Sequence, residues 1–296
     1  MALLLRFLWQ AWSPPADPKT SFNGKNVIVT GANTGVGFEA AAKFVALDAS
    51  RVILGVRDRT KGDRAKSLIE ERTGKKGRVE VWQLDMNSYD SIQDFARRAS
   101  SLDHLDVAVL NAGVYMVAYE ESKYGWEETL QVNTLSTALL GLLLLPKMKA
   151  SRSENSLPVL EIVSSGNHER VTIPEEHRRV DNLLKSYNSA NGYNALNQYG
   201  TSKLFVMYVM QTLASFVRAS DTALEKVDVI VTSVCPGASK SEISRGYNGL
   251  VIKAAKAVLF AIFARTTEAG SRSLVSGVTL GEGAHGRFWQ HDRLKQ

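Results

Sequence analysis

The sequence predicts an α/β fold, a doubly wound parallel sheet in a single domain. Three observations predict it. Short β-branched runs alternate with longer stretches of helical spacing along nearly the whole chain. The short runs are almost continuously apolar, as strands covered on both faces must be. A glycine-rich turn, Thr30-Gly31-Ala32-Asn33-Thr34-Gly35-Val36-Gly37, stands at the first strand-to-helix junction. The 296 residues, 44% hydrophobic and 22% charged, suffice to bury a full core.

Residues 1–21 form a lead-in and residues 22–296 the domain. Met1 to Trp12 (MALLLRFLWQAW) would put Leu5, Leu8, Trp9 and Trp12 on one helical face, with Arg6, Gln10 and Ser13 on another. Such a helix either docks on its own domain or lies in a membrane interface. Arg6 splits its apolar part and no small-residue cleavage site follows, which argues against a signal peptide. The Pro-rich stretch Ser13 to Pro18 leads into a first strand, Asn26 to Thr30 (NVIVT). Phe38 to Leu47 has helical spacing, Arg51 to Val56 (RVILGV) reads as a second strand and Arg59 to Arg72 as a charged helix. Val79 to Leu84 is a third strand, Ser88 to Ala99 a helix and Val107 to Leu110 a fourth strand. Trp126 to Lys149 is a long apolar helix, Leu160 to Val163 a fifth strand, and Val227 to Val234 a sixth. Between the last two lies the helix running from Tyr199 through Met210. Thr266-Thr267-Glu268 opens a final helix with Thr266 as its cap.

Composition narrows the partners. A net charge of +6, from 36 basic and 30 acidic residues, is mild. With no Lys/Arg run and no basic stripe interleaved with aromatics, nucleic acid is not expected. The single Cys235 excludes an internal disulfide framework and fits a reducing, cytoplasmic setting, with peripheral membrane contact through residues 1–12 as the alternative placement. No stretch reaches the ~20 apolar residues of a membrane span. His104, His168, His177, His285 and His291 show no metal-ligand spacing, so no metal is expected.

The chemistry centres on Tyr199-Gly200-Thr201-Ser202-Lys203. A Tyr and a Lys four residues apart lie one above the other on a helix face. An ammonium beside a phenol would lower the phenol's pKa from its reference near ~10 and make it a proton donor useful near neutrality. The glycine turn lets the backbone approach a pyrophosphate, which then sits on the N-terminus of the following helix. Its spacing is G-x-x-x-G-x-G, and with a strand before and a helix after it marks a Rossmann-type dinucleotide site. After the second strand comes Arg57-Asp58-Arg59, where such folds carry a carboxylate for the adenosine ribose or an Arg for a 2′-phosphate. Arg57 favours NADP(H); Asp58 keeps NAD(H) open.

On these motifs the chain resembles the short-chain dehydrogenase/reductase family from about Phe22 to about Gly277, in particular its retinol-dehydrogenase-like branch and relatives in fungal secondary metabolism. The resemblance implies a coenzyme site at Gly31, Asn33, Thr34, Gly35, Val36 and Gly37, with Asp85 at the adenine and Asn111-Ala112-Gly113 as a structural element. It further implies a tetrad of Asn133, Ser165, Tyr199 and Lys203, and a turn at Pro236-Gly237 facing the nicotinamide. Tyr199 would exchange a proton with the substrate oxygen and Ser165 would hold that oxygen. Lys203 would tune Tyr199 and bind the nicotinamide ribose, and Asn133 would hold a water linking Lys203 to solvent. Ser164 is the alternative to Ser165, and a packing role the alternative for Asn133. Ser241 stands where the family commonly has a carboxamide-binding Thr.

The connection 166–198 between Ser165 and Tyr199 is much longer than in many members and reads as a pocket wall, or else a surface insertion. A second substrate loop spans 238–265; its apolar part, Leu250 to Ala264, implies a hydrophobic, medium-sized carbonyl or alcohol substrate. The expected activity is interconversion of a ketone or aldehyde with an alcohol. Epimerisation, dehydration or reductive cyclisation on the same fold, and a non-catalytic nucleotide-binding scaffold, are the alternatives. The resemblance also implies a homodimer through the long helices carrying Asn133 and Tyr199.

Overall fold

A computed structural model describes residues 13–154, 156–217, 227–239 and 264–295. The segment 1–12, Ser241 and residues 250–263 of the expected second substrate loop lie outside them. Eight strands form one sheet in the order β3-β2-β1-β4-β5-β6-β7-β8. They are β1 (Asn26–Thr30), β2 (Arg51–Val56), β3 (Val79–Gln83), β4 (Val107–Leu110), β5 (Val159–Val163), β6 (Ile230–Cys235), β7 (Phe288–Gln290) and β8 (Arg293–Lys295). Every pairing from β3 to β7 is parallel, and only β7 with β8 is antiparallel. The order reverses between β1 and β4, where a doubly wound sheet opens its ligand crevice.

The β-branched runs become strands because both of their faces are covered. Alternate residues feed two separate cores: Ile28, Ile53, Ala108, Leu160 and Ile162 pack on one side of the sheet. Val27, Val29, Val52, Leu54, Val107 and Val109 pack on the other. Each such side chain, fully withdrawn from water, contributes about 1.5–3 kcal/mol relative to exposure.

The helices are α1 (Gly35–Ala46), α2 (Arg59–Thr73), α3 (Tyr89–Ser100), α4 (Glu128–Ala150), the short α5 (Glu175–Arg178) and α6 (Leu183–Ser186), α7 (Ala195–Phe216) and α8 (Thr267–Gly277). Side-chain oxygens set several starts. Asp58 caps α2 by accepting from Lys61 N–H, Ser88 caps α3 through Ser91 N–H, and Thr266 caps α8 through Ala269 N–H, the last as expected. Within α4, Gln131–Ser136 winds as a π-helical turn around Asn133, a feature common at functional positions. Among the described residues α4 alone is long and apolar enough to cross a membrane, but 67% of its apolar window is buried in the protein.

Two features depart from the sequence reading. The C-terminal hairpin β7–β8 was not anticipated: its strands are three residues each, too short to carry a period. The turn residues His291 and Asp292 both take positive φ, at 53° and 54°, which composition did not signal. The sixth strand starts at Ile230 rather than Val227, because the pairing with β5 begins there.

Candidate active site

The glycine turn, the ends of β4, β5 and β6, and one face of α7 meet at the same edge of the sheet. Gly31 and Gly35 hold φ of 65° and 66°, a region costly for other residues. The Asn111-Ala112-Gly113 run clamps this turn from β4. Asn111 Nδ2 donates to the Thr30 carbonyl at 2.8 Å, and Ala112 N–H donates to Thr30 Oγ1 at 2.9 Å. A Cβ on Gly37 would run into Asn111 Nδ2 and would lie 2.8 Å from the Gly31 carbonyl. The 12-residue α1 follows with no acidic residue in its first turn, an N-terminus suited to an anion. A dinucleotide pyrophosphate fits this cradle.

Beyond β2, Arg57 is exposed. Asp58 spends its carboxylate on Lys61 N–H at 3.1 Å and lies 3.6 Å from Lys61 Nζ. Asp85 accepts Asn87 N–H at 2.9 Å, closing a local turn at the end of β3. Burial, with Glu120 adding to it, raises the Glu128 carboxyl; the Asn87 hydrogen bond and the charge of Arg57 oppose that rise without cancelling it.

Ser165, Tyr199 and Lys203 converge. β5 ends at Val163, and the two serines after it part company. Ser164 is buried and donates to the Lys203 carbonyl at 3.0 Å. Ser165 Oγ accepts Asn167 N–H at 3.2 Å, and its side chain acts on the Tyr199 phenol, opposing the rise that burial gives it. The hydroxyl beside Tyr199 is thus that of Ser165. Lys203 is buried, donates from Nζ to the Val163 carbonyl at 2.9 Å, and sits 5.8 Å from the Tyr199 ring centroid. Asn133 and Lys203 both approach Gly113: a Cβ there would be 3.1 Å from Asn133 Oδ1 and 3.5 Å from Lys203 Nζ. Asn133 also exchanges hydrogen bonds with the Val114 backbone and donates to Ser202 Oγ at 3.0 Å.

One expectation reverses. Burial, with the Cys235 side chain adding to it, raises the Tyr199 phenol above its ordinary value; the Ser165 hydrogen bond opposes that rise. Lys203 does not lower it, because its ammonium is turned to Val163. Burial brings Lys203 itself down to about 8, against a smaller upward pull from Cys235.

Pro236-Gly237 follows β6, with Gly237 at φ 76°. Cys235 is buried, as expected for a small hydrophobe. It also reaches the site, its Sγ accepting Gly166 N–H at 3.3 Å and Gly237 N–H at 3.4 Å. The sequence reading missed Tyr115, whose ring stands 5.3 Å from that of Tyr199, and Glu127, whose carboxylate binds Gln198 beside Tyr199. Tyr115 carried no signal. Glu127 left a faint one, a carboxylate just ahead of the apolar α4 run.

The model of the short chain dehydrogenase family matches residues 25–170. A short-chain dehydrogenase/reductase of Aspergillus flavipes, ffsI, is 44% identical over 294 residues, covering 98% of this chain and 84% of that protein. The chain belongs to the short-chain dehydrogenase/reductase family. A second member, phmF of Phaeosphaeria nodorum, is 43% identical over 292 residues, covering 98% of this chain and 84% of its own. Among solved structures, a putative short chain dehydrogenase from Shigella flexneri 2a, complexed with NADP, shares the fold. Its TM-score is 0.65 at 21% identity, over 93% of this chain and all (100%) of that one. A short-chain dehydrogenase from Sphingobium yanoikuyae in complex with NADPH aligns with a TM-score of 0.62 at 18% identity, over 90% of this chain and 87% of that one. Family membership makes the chain an oxidoreductase of this class.

Proposed function

We propose that the protein is an NADP(H)-dependent oxidoreductase that interconverts a ketone or aldehyde with an alcohol on a hydrophobic, medium-sized substrate. The observation that carries the reading is the convergence beside the glycine cradle: Lys203 Nζ donates to the Val163 carbonyl at 2.9 Å, 5.8 Å from the Tyr199 ring centroid, with Ser165 two residues beyond Val163. Bound in that cradle, the nicotinamide coenzyme supplies or accepts the hydride. In reduction Tyr199 gives its hydroxyl proton to the carbonyl oxygen while Ser165 donates a hydrogen bond to the same oxygen, where negative charge develops. The raised phenol pKa makes Tyr199 a weak acid that keeps its proton until the oxygen becomes basic. Lys203 and Asn133 support Tyr199, the first as a buried ammonium whose pKa burial lowers to about 8, the second as a clamp on the Val114 backbone. Pro236-Gly237 closes the pocket from β6.

NADP(H) is preferred because Asp58 is used as a helix cap while Arg57 is exposed and positively charged. The NADP and NADPH complexes of the two structural neighbours agree with this choice. The hydrophobic substrate rests on the apolar composition of residues 250–264. A homodimer through α4 and α7 is supported by exposed Leu142, Leu143, Tyr208 and Phe216 on those helices. The placement is cytoplasmic, with peripheral membrane contact through residues 1–12 as the alternative to their docking on the domain.

The experiment is NADPH oxidation against a panel of ketones and aldehydes graded in size and polarity. Turnover rising with substrate hydrophobicity supports the reading. Activity confined to small polar carbonyls overturns the substrate class, and no turnover with any carbonyl or alcohol overturns the reaction.

A further inference from the structure

We propose that Glu127 is a positioning residue for Tyr199, joining the wall segment 187–198 to the site through one buried carboxylate. This rests on the reading of Tyr199 as the proton donor. Glu127 has no exposed surface, and a carboxylate withdrawn from water is strongly destabilising unless its oxygens are hydrogen-bonded. Four donors meet it. Oε1 accepts from Thr129 N–H at 2.9 Å and from the Tyr193 hydroxyl at 3.1 Å. Oε2 accepts from Leu130 N–H at 2.9 Å and from Gln198 Nε2 at 2.7 Å. Hydrogens directed at both oxygens are the pattern of an acceptor-only carboxylate.

The four donors divide into two pairs with different meanings. Thr129 and Leu130 open α4, and their N–H groups need a cap. Asp, Ser or Thr would cap them as well, and Glu is not a favoured residue there. Tyr193 and Gln198 belong to the other side: one is in the wall segment, the other in the first turn of α7, immediately before Tyr199. The longer Glu side chain spans both pairs. A further link runs through the backbone, since Glu127 N–H donates to Asn188 Oδ1 at 2.6 Å, and Asn188 Nδ2 donates to the Gly125 carbonyl at 2.7 Å.

The hub also borders the backbone beside Tyr115. The Tyr193 hydroxyl also lies 3.1 Å from the Met116 carbonyl, next to Tyr115, whose ring packs on Tyr199. Its one hydrogen serves one oxygen at a time; donated to Glu127 as above, it leaves the Met116 carbonyl a neighbour and not a second acceptor. Gln198, the sequence neighbour of Tyr199, is thus held through Glu127, and the Tyr193 hydroxyl borders the backbone that carries Tyr115.

Glu127→Asp tests this directly, because Asp preserves the helix cap but is too short for Tyr193 and Gln198. The expected result is a fall in kcat for carbonyl reduction of about tenfold or more, as small displacements of a reacting group produce. Coenzyme Kd should not change, since the cradle lies elsewhere. Gln198→Met should lower kcat in the same sense, and the double variant should be no worse than Glu127→Asp alone. Wild-type kcat in Glu127→Asp would reduce Glu127 to a cap and overturn the proposal. Hydrogen–deuterium exchange decides without turnover: 187–200 should exchange faster in Glu127→Asp while Thr129 and Leu130 stay protected. Unchanged exchange in 187–200 overturns the link. If Glu127→Asp does not fold, Gln198→Met and Tyr193→Phe are read by the same exchange, with the same outcomes deciding. A wild type that reduces no carbonyl compound would instead defeat the functional reading, and the exchange result would stand by itself.

Discussion

Lys203 donates from Nζ to the carbonyl of Val163, the last residue of β5, at 2.9 Å. The helix that carries Tyr199 is thereby tied to the strand that leads to Ser165. The ammonium does this while buried, and burial brings its pKa down to about 8. Its charge is therefore present below pH 8 and lost above it. If the charge supports proton delivery by Tyr199, kcat for reduction should fall as pH rises through about 8. A pH–rate profile checks this, and Lys203→Met should remove that limb as well as lowering the plateau.

Arg57 and Asp58 make opposite claims on the coenzyme, and the structure leaves Asp58 occupied with Lys61 N–H. Calorimetry should find NADPH bound at least about tenfold tighter than NADH, a difference of only ~1.4 kcal/mol and within the range of one charge-assisted pair. Arg57→Ala should abolish the difference by weakening NADPH alone. Equal binding of both coenzymes by the wild type would return the ribose to Asp58.

Gly37 has no room for a side chain between Asn111 Nδ2 and the Gly31 carbonyl. Gly37→Ala should push the Asn111 clamp off the turn, with a stability loss of about 1–3 kcal/mol from overpacking. Coenzyme binding should be lost in calorimetry while the folded fraction remains measurable by denaturant titration.

Glu161, in the middle of β5, is the one charged-type side chain inside the sheet core whose two carboxyl oxygens are both buried without a hydrogen-bond partner among the described residues. Burial raises its pKa well above the ordinary carboxylate range. A carboxyl whose folded pKa exceeds its unfolded value stabilises the fold below the unfolded pKa, near 4.5. That contribution declines as pH rises toward the folded value. Glu161→Leu should therefore be more stable than wild type at neutral pH by about 1–3 kcal/mol, with an advantage that shrinks toward pH 4. Thermal melts of both proteins across that range measure it.

How far the sequence could be read depended on what kind of signal each feature leaves. Asn26–Thr30, Arg51–Val56 and Val107–Leu110 were legible to the residue, because a strand covered on both faces must be apolar throughout. The glycine turn and the Tyr199–Lys203 pair were legible because backbone conformation and helix period constrain spacing. The β7–β8 hairpin was not, having strands too short for a pattern and a turn built on His291 and Asp292. The direction of the Tyr199 shift was misread because it depends on where the Lys203 ammonium points and how deeply both groups are buried, which spacing along a helix does not encode. Glu127 could not be recognised as a hub, since Tyr193 and Gln198 approach it only through the fold.

The most direct test of the account is single-turnover reduction of a hydrophobic ketone by the NADPH-loaded enzyme, wild type against Tyr199→Phe. The substitution removes one oxygen and leaves the ring packed on Tyr115. The account predicts that NADPH still binds and that the rate of hydride transfer falls by at least about a hundredfold, the scale of a lost general acid. Hydride transfer at the wild-type rate in Tyr199→Phe would contradict it.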